Sequence, residues 1–389
     1  MDNTETAVDE IMVKTFMNMG SKYNQEKEYV LSEKSYQQAL ELRTKLANIN
    51  PGKHKPLLIE TFTALAKLYE GQGIYDSAIE KYREVVTLSR ILLRETRLSS
   101  YALLLAQTAT KVAQIHQEHQ NRPLAQYFYT EALENYNLLE QEKDYTYHQI
   151  ALLKIYMQLI TLYEDESLFT HAEQYYKLAL SSCDLLIERG LTEYSNQLGQ
   201  LNCDLASLYF FQADFEKAKV HYHLSIDILF DFIQEDSESY TESLAIVQNN
   251  LASIYATEKN YDEALTYYKR ALPHLSTLAE KNPSKYGYNV AVLFKNLASI
   301  YFHKKNVEKT EFFHFKSIEV FEEFTEYNEE KYNIELASCI VDGVEYYKQH
   351  SLTLYNAENI LRQYRFHQEA EKLLGRIYNL RKSKIKEKI

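Results

Sequence analysis

Apolar residues recur at three- and four-residue intervals along almost the whole chain, and short polar breaks such as Gln212–Lys217 and Glu258–Glu263 interrupt them at regular distances. This spacing gathers apolar side chains on one face of an α-helix, so each break separates two amphipathic helices. The pattern predicts one helical hairpin after another.

The hairpins repeat. Asn250–Leu272 recurs as Asn296–Ile318 and as Asp204–Ile226, each time with a shift of 46 residues. The small residue of the second helix runs Ser32, Ala78, Ala125, Ala172, Ala218, Ala264, Thr310, Ala357, in steps of 46 or 47. An independent column, the aromatic that closes the first helix, runs Tyr23, Tyr69, His116, Tyr163, Tyr209, Tyr255, Tyr301, Tyr347. Three residues before it stands another small residue (Gly20, Ala66, Ala113, Ala206, Ala252, Ala298), which lets the second helix approach closely. Four residues after the second-helix small residue comes a tyrosine column, Tyr36, Tyr82, Tyr129, Tyr176, Tyr222, Tyr268, ending in His314. Such pairs cannot bury their apolar faces alone and must stack on their neighbours.

Unit openings recur as well. Pro51 and Pro283 stand in equivalent places, suited to the first turn of a helix, where a missing N–H costs nothing. Three residues on, the column reads His54, Tyr101, His148, Tyr194, Tyr240, Tyr286, Tyr332. Together with the second-helix starts Tyr29, Tyr75 and Tyr261, these columns hold 21 of the 34 tyrosines, so the abundance of tyrosine is mostly scaffold.

Leu65-Ala66…Tyr69 followed by Tyr75…Ala78…Tyr82, and Leu251-Ala252…Tyr255 followed by Tyr261…Ala264…Tyr268, resemble the tetratricopeptide repeat over essentially the whole chain. The departure is the period. The usual unit has about 34 residues, and the added dozen correspond to about 18 Å of extra helix rise shared between two helices. The long unit is similar to the repeats of kinesin light chains and of many bacterial multi-repeat proteins. The resemblance implies an all-α, right-handed solenoid of about eight long hairpins. Residues 1–375 are expected to form it, with 376–389 as the basic end of a capping helix and tail. The stretch Ser351–Arg381 reads either as one long second helix or as two shorter helices breaking near Arg365-Phe366.

Composition agrees with this picture and narrows it. With 9 Gly and 5 Pro in 389 residues, the punctuation of sandwiches, barrels and Gly-loop nucleotide sites is missing. A net charge of −12 argues against broad attraction to nucleic acid or anionic lipid. The exception is the C-terminus, where Arg376, Arg381, Lys382, Lys384, Lys386 and Lys388 stand against Glu387 alone. Three scattered cysteines (Cys183, Cys203, Cys339) suit a reducing compartment, and neither a basic leader nor a long apolar run appears. A cytoplasmic protein without membrane attachment is expected.

Candidate chemistry is sparse. Gly71 and Gly73 fall in a turn with no phosphate-binding sequence after them, and His116 and His119 have ligand spacing although His116 belongs to the closing-aromatic column. No catalytic constellation, cofactor site or metal site is expected. In the resembled family the first helix lines a concave groove, with side chains three before and one after its small residue pointing inward. In units five to seven those positions and one neighbour read Cys203, Asp204, Ser207; Asn249, Asn250, Ser253; and Lys295, Asn296, Ser299. Their amides can both donate to and accept from an extended peptide backbone. Phe210, Phe211 and Phe302 follow one turn later as candidate apolar anchors. The alternative for the asparagines is interhelical hydrogen bonding, and for the phenylalanines packing under the next unit. The N-terminal half carries a mixed-sign lining of Glu60, Lys67, Glu70, Lys154 and Glu164. The expected function is a non-enzymatic scaffold that binds a protein or peptide in this groove. The alternative is a regulatory sensor whose superhelix changes on binding to control a separate effector.

Overall fold

The computed structural model describes residues 3–139, 145–232, 237–324, 329–347, 351–364 and 366–386. Among them are seventeen α-helices and no strand. The chain divides into two compact units, Met1–Leu191 and Thr192–Ile389. The first contains α1 (Asn3–Gln25), α2 (Tyr29–Ile49), α3 (Pro51–Gly71), α4 (Tyr75–Thr96), α5 (Ser99–Glu118), α6 (Arg122–Asn137), α7 (Tyr145–Asp165) and α8 (Phe169–Glu188). The second contains α9 (Tyr194–Phe211), α10 (Phe215–Phe232), α11 (Ser237–Thr257), α12 (Tyr261–Lys281), α13 (Pro283–His303), α14 (Val307–Phe324), α15 (Glu329–Tyr347), α16 (Ser351–Gln363) and α17 (Gln368–Lys386). Within each unit consecutive helices pack pairwise as hairpins, and each hairpin packs on the next. This is an all-α repeat solenoid.

Seven hairpin turns share one device. The residues Lys27, Gly73, Gln120, Ser167, Ala213, Lys259 and Lys305 adopt left-handed backbone, with φ between 57° and 75°. The N–H that follows each of them (Glu28, Ile74, Asn121, Leu168, Asp214, Asn260, Asn306) donates at 2.8–2.9 Å to the carbonyl of the closing aromatic. The left-handed residue itself donates to the carbonyl one position further on, as Ala213 does to Phe210 at 3.0 Å. These two bonds form a Schellman motif, which satisfies carbonyls that the helix end would leave bare. Only Gly73 is a glycine, so six turns hold an L side chain where the left-handed region is disfavoured.

Proline placement follows expectation. Pro51 and Pro283 open α3 and α13 at the first helical position. The preceding Asn50 and Asn282 cap those helices by accepting from the N–H of Lys53 at 3.2 Å and of Lys285 at 3.3 Å.

The repeat columns are the core. All eight small residues of the second helices are buried, and so are Tyr36, Tyr82, Tyr129, Tyr176, Tyr222, Tyr268 and His314. Close approach is visible at Gly20, where a Cβ would stand 2.6 Å from the ring of Tyr36. His116 is buried in its column and stacks on Phe128, ring centroids 5.7 Å apart. Burial pushes its pKa down, reinforced by Arg83, so the ring packs as a neutral aromatic.

Near the C-terminus the chain takes the two-helix option. The second helix of the eighth hairpin, α16, has only 13 residues, and α17 then runs through most of the basic stretch to Lys386. Ala370 and Ile377 of α17 are buried against Ile334, Ala337 and Val341 of α15 and Leu361 of α16. Arg376 pairs with Asp342 at 2.8 Å and with Glu345 at 2.7 Å, and Arg381 pairs with Glu358 at 2.6 Å.

Candidate functional site

The predicted groove residues all lie on α9, α11 and α13, the first helices of three consecutive hairpins in the unit Thr192–Ile389. These helices are lateral neighbours. Polar contacts join them, Ser243 donating to Gln200 at 3.3 Å, Lys285 to Glu242 at 2.7 Å and Lys295 to Glu335 of α15 at 2.8 Å. The structure therefore brings the predicted residues onto neighbouring helices of one unit.

What they do there differs from position to position. Ser207 donates to the carbonyl of Cys203 at 3.0 Å and meets the hydroxyl of Tyr222 at 2.9 Å. Ser253 repeats this one unit later, with the carbonyl of Asn249 at 3.1 Å and Tyr268 at 2.9 Å. The same two tyrosine hydroxyls are also hydrogen-bonded by Asn250 and by Asn296, each reaching back from the next first helix. Ser299 bonds Tyr346 of α15, His314 having replaced the column tyrosine in that hairpin. A Ser–Tyr–Asn clamp thus fastens successive hairpins, and burial pushes the Tyr222 and Tyr268 hydroxyls up to about 12. Asn250 and Asn296 take the interhelical role.

Cys203 turns inward. It is buried, and burial together with the neighbouring Asp204 pushes its thiol up to about 12, which keeps it protonated and inert. Asp204 accepts from Gln200 at 2.9 Å along its own helix. Phe211 is 79% exposed, whereas Phe210 is half-buried against Phe215 with ring centroids 5.6 Å apart. Phe302 lies 4.7 Å from the ring of Tyr346, so it packs partly on the next unit while keeping an open edge. The Asn249 side-chain oxygen is buried with no hydrogen-bond partner among the described residues.

One feature of this region was not legible in the sequence. Around Lys295 a cleft of about 530 Å³ opens between α13, α15 and the start of α17, lined by Tyr288, Lys331, Glu335, Ser338, His367 and Leu373 among others. Lys295 donates at 2.8 Å to both Glu335 and Ser338, and the Tyr288 hydroxyl donates to Glu335 at 3.3 Å. The ammonium of Lys331 sits 3.5 Å over the ring of Tyr288. Burial opposes the charge on Lys295, but Glu335 overcomes it and holds the amine firmly protonated. The cleft was illegible because its far wall belongs to α17, which falls outside the 46-residue period.

In the N-terminal unit the mixed-sign residues serve the scaffold too. Glu70 accepts from Tyr82 at 2.8 Å and pairs with Lys111 at 2.6 Å, Glu164 accepts from Tyr176 at 2.9 Å, and Glu60 pairs with Arg43 at 3.0 Å. Lys67 and Lys154 remain exposed. The partner of the column tyrosine therefore changes between units, from the residue after the closing aromatic to the serine after the small residue.

Comparison with known proteins agrees with this architecture. The family description "Tetratricopeptide repeat" matches residues 245–272, which hold most of α11 and the first half of α12. The crystal structure of the apo form of RapI superposes with a TM-score of 0.55 at 12% identity, covering 96% of this chain and 98% of that one. BtubC (BKLC) from P. vanneervenii aligns at 23% identity over 62% of this chain and 89% of that chain, with a TM-score of 0.44. No curated protein matches the sequence. The tetratricopeptide repeat is thus matched by sequence at residues 245–272, and the likeness to RapI extends the all-α repeat fold over the rest of the chain. Among the described residues, no helix is long and apolar enough to cross a membrane.

Proposed function

We propose that the chain is a non-enzymatic interaction scaffold that holds a segment of a partner protein against the first-helix face of α9, α11, α13 and α15. The observation that carries this reading is the cleft at Lys295, which combines a fixed ammonium, a carboxylate and an aromatic wall on that face. A pre-formed concavity with a few convergent polar groups is where a ligand segment gains most for the least ordering. Asn249, partly exposed although its side-chain oxygen is buried and unpartnered among the described residues, and the open edge of Phe302 offer further contacts on the first helices. Ser207, Ser253, Asn250 and Asn296 act one layer beneath, keeping the helices in register.

The test is to identify what co-purifies with the full chain and then titrate that partner against wild type, Asn249→Ala and Lys331→Ala. Weaker binding by both variants with unchanged thermal midpoints supports the reading. Unchanged affinity, or cross-links that map the partner to the second helices α10, α12 and α14, overturns it.

A further inference from the structure

Most second helices open on an aromatic ring. Tyr29, Tyr75, Phe169, Phe215 and Tyr261 begin α2, α4, α8, α10 and α12, each three residues before the small residue of its column. Where ring contacts are resolved, these side chains fill space at the turns. Tyr75 lies 4.6 Å from the ring of His119 and Tyr261 stacks on His303 at 5.2 Å, each meeting the end of the next first helix. Phe215 packs instead on Phe210 of its own hairpin. Even Arg122, which opens α6, reaches across to Asp165 at the end of α7.

α14 breaks the series, because it opens on Val307. Valine has no ring to offer, and its side chain is left 66% exposed. A concavity of about 410 Å³ opens there, between the end of α13 and the end of α15, lined by Phe302, Lys305, Val307, Thr310, Tyr346 and Tyr347 among others. The rings of Phe302 and Tyr346 meet at 4.7 Å and make its aromatic wall. Its volume lies in the range of small-ligand pockets.

We propose that this slot takes a tyrosine or phenylalanine ring from the partner segment, the group that the repeat itself supplies at this position in other hairpins. The inference rests on the reading that such a segment lies along the first helices, and it names one side chain of that segment. Charge separates this guest from the other that aromatic pockets take, a cation. Among the described residues no carboxylate lines the slot, whereas Lys305 does, so a cation would meet an ammonium and no counter-charge. Position favours the ring as well. Phe302 follows Lys295 by two turns of α13 on the same face, a rise of about 10 Å. About three residues of an extended segment, at about 3.3 Å each, cover that distance. A segment seated in the Lys295 cleft therefore presents its ring about three residues further along.

The test uses p-cresol, the side chain of tyrosine as a free molecule, titrated into the full chain labelled at its Ile, Leu and Val methyl groups. The Val307 methyl signals are expected to shift saturably in the millimolar range, while those of Ile334 and Leu373, which line the Lys295 cleft, stay in place. Tetramethylammonium, the cation probe, should leave Val307 unmoved. Phe302→Ala removes one wall and should weaken p-cresol binding about tenfold, the worth of an aromatic pair. Val307→Tyr restores the ring that this hairpin lacks, so it should exclude p-cresol, melt at or above the wild-type midpoint and bind the partner about tenfold more weakly. The slot is overturned by the absence of a saturable shift, by shifts confined to Ile334 and Leu373, or by a Val307 response to tetramethylammonium stronger than to p-cresol. It is equally overturned if Val307→Tyr binds p-cresol as wild type does. A folded Val307→Tyr chain that holds the partner as tightly as wild type overturns the assignment of the ring to the partner. The broader reading fails separately, through partner binding indifferent to Asn249→Ala and Lys331→Ala.

Discussion

Replacing Tyr268 by phenylalanine tests the clamp that joins the sixth and seventh hairpins. The side chain is 0% exposed, and its hydroxyl meets Ser253 at 2.9 Å and Asn296. Phenylalanine keeps the ring and opens no cavity, so the effect isolates the hydroxyl. Ser253 keeps its bond to the Asn249 carbonyl, while the Asn296 amide loses its tyrosine partner. Leaving a buried polar group unpaired costs about 1–3 kcal/mol, and because the stranded Asn296 is only half-buried we expect the lower end, about 1 kcal/mol, for Tyr268→Phe. Tyr268→Ala adds a cavity and should cost about 3–5 kcal/mol. The pair Tyr268→Phe and Asn296→Ala should show a coupling of about 1 kcal/mol in a double-mutant cycle. Urea unfolding monitored by circular dichroism measures these values. Amide exchange of α12 and α13 localises them, because repeat arrays need not unfold in one step. A Tyr268→Phe chain within about 0.5 kcal/mol of wild type, together with no coupling to Asn296→Ala, would refute the clamp and return Asn296 to the surface.

Three further outcomes follow from the geometry. Ala213→Gly, at φ 60°, should raise stability by up to about 1 kcal/mol by relieving left-handed strain, whereas Gly73→Ala should lower it, both read from unfolding midpoints. Gly20→Ala places a methyl against the ring of Tyr36 and should cost about 1–3 kcal/mol, with lost amide protection in α1 and α2. The Tyr222 and Tyr268 hydroxyls ionise near pH 12 in the folded chain and near pH 10 when unfolded, so the folded form holds their protons longer. Their contribution, about 2–3 kcal/mol each, is present below pH 10 and lost as pH rises to 12, which melting curves paired with tyrosinate absorbance will show.

The repeat was legible because packing at a fixed period demands the same residue size at the same place. Ala264 and Tyr268 face each hairpin's interior as Ala218 and Tyr222 do, so their columns could be read without coordinates. The roles of Asn250 and Asn296 were legible only as alternatives. An amide on a first helix can face a ligand or a neighbouring hydroxyl, and which one it meets depends on how far the adjacent hairpin is rotated. Cys203 shows the same limit, since a position placed in the groove by counting lies inside once its helix is oriented. The first-helix pattern Leu374-Gly375…Tyr378 of α17 escaped notice for a different reason. Its Tyr378 follows Tyr347 by 31 residues, because the 13-residue α16 breaks the count that had located every other column.

The sequence by itself determined the class of fold, the period, the buried columns and the proline-opened helices, all of which follow from local spacing and residue size. The tertiary structure decided which polar side chains are spent on joining hairpins and which remain available, and it alone assembled the cleft at Lys295. Those features draw on residues far apart in the chain, Lys295 with Glu335 and Tyr268 with Asn296 among them. Contacts of that range arise from how whole helices stack, and no local pattern of apolar and polar positions encodes them.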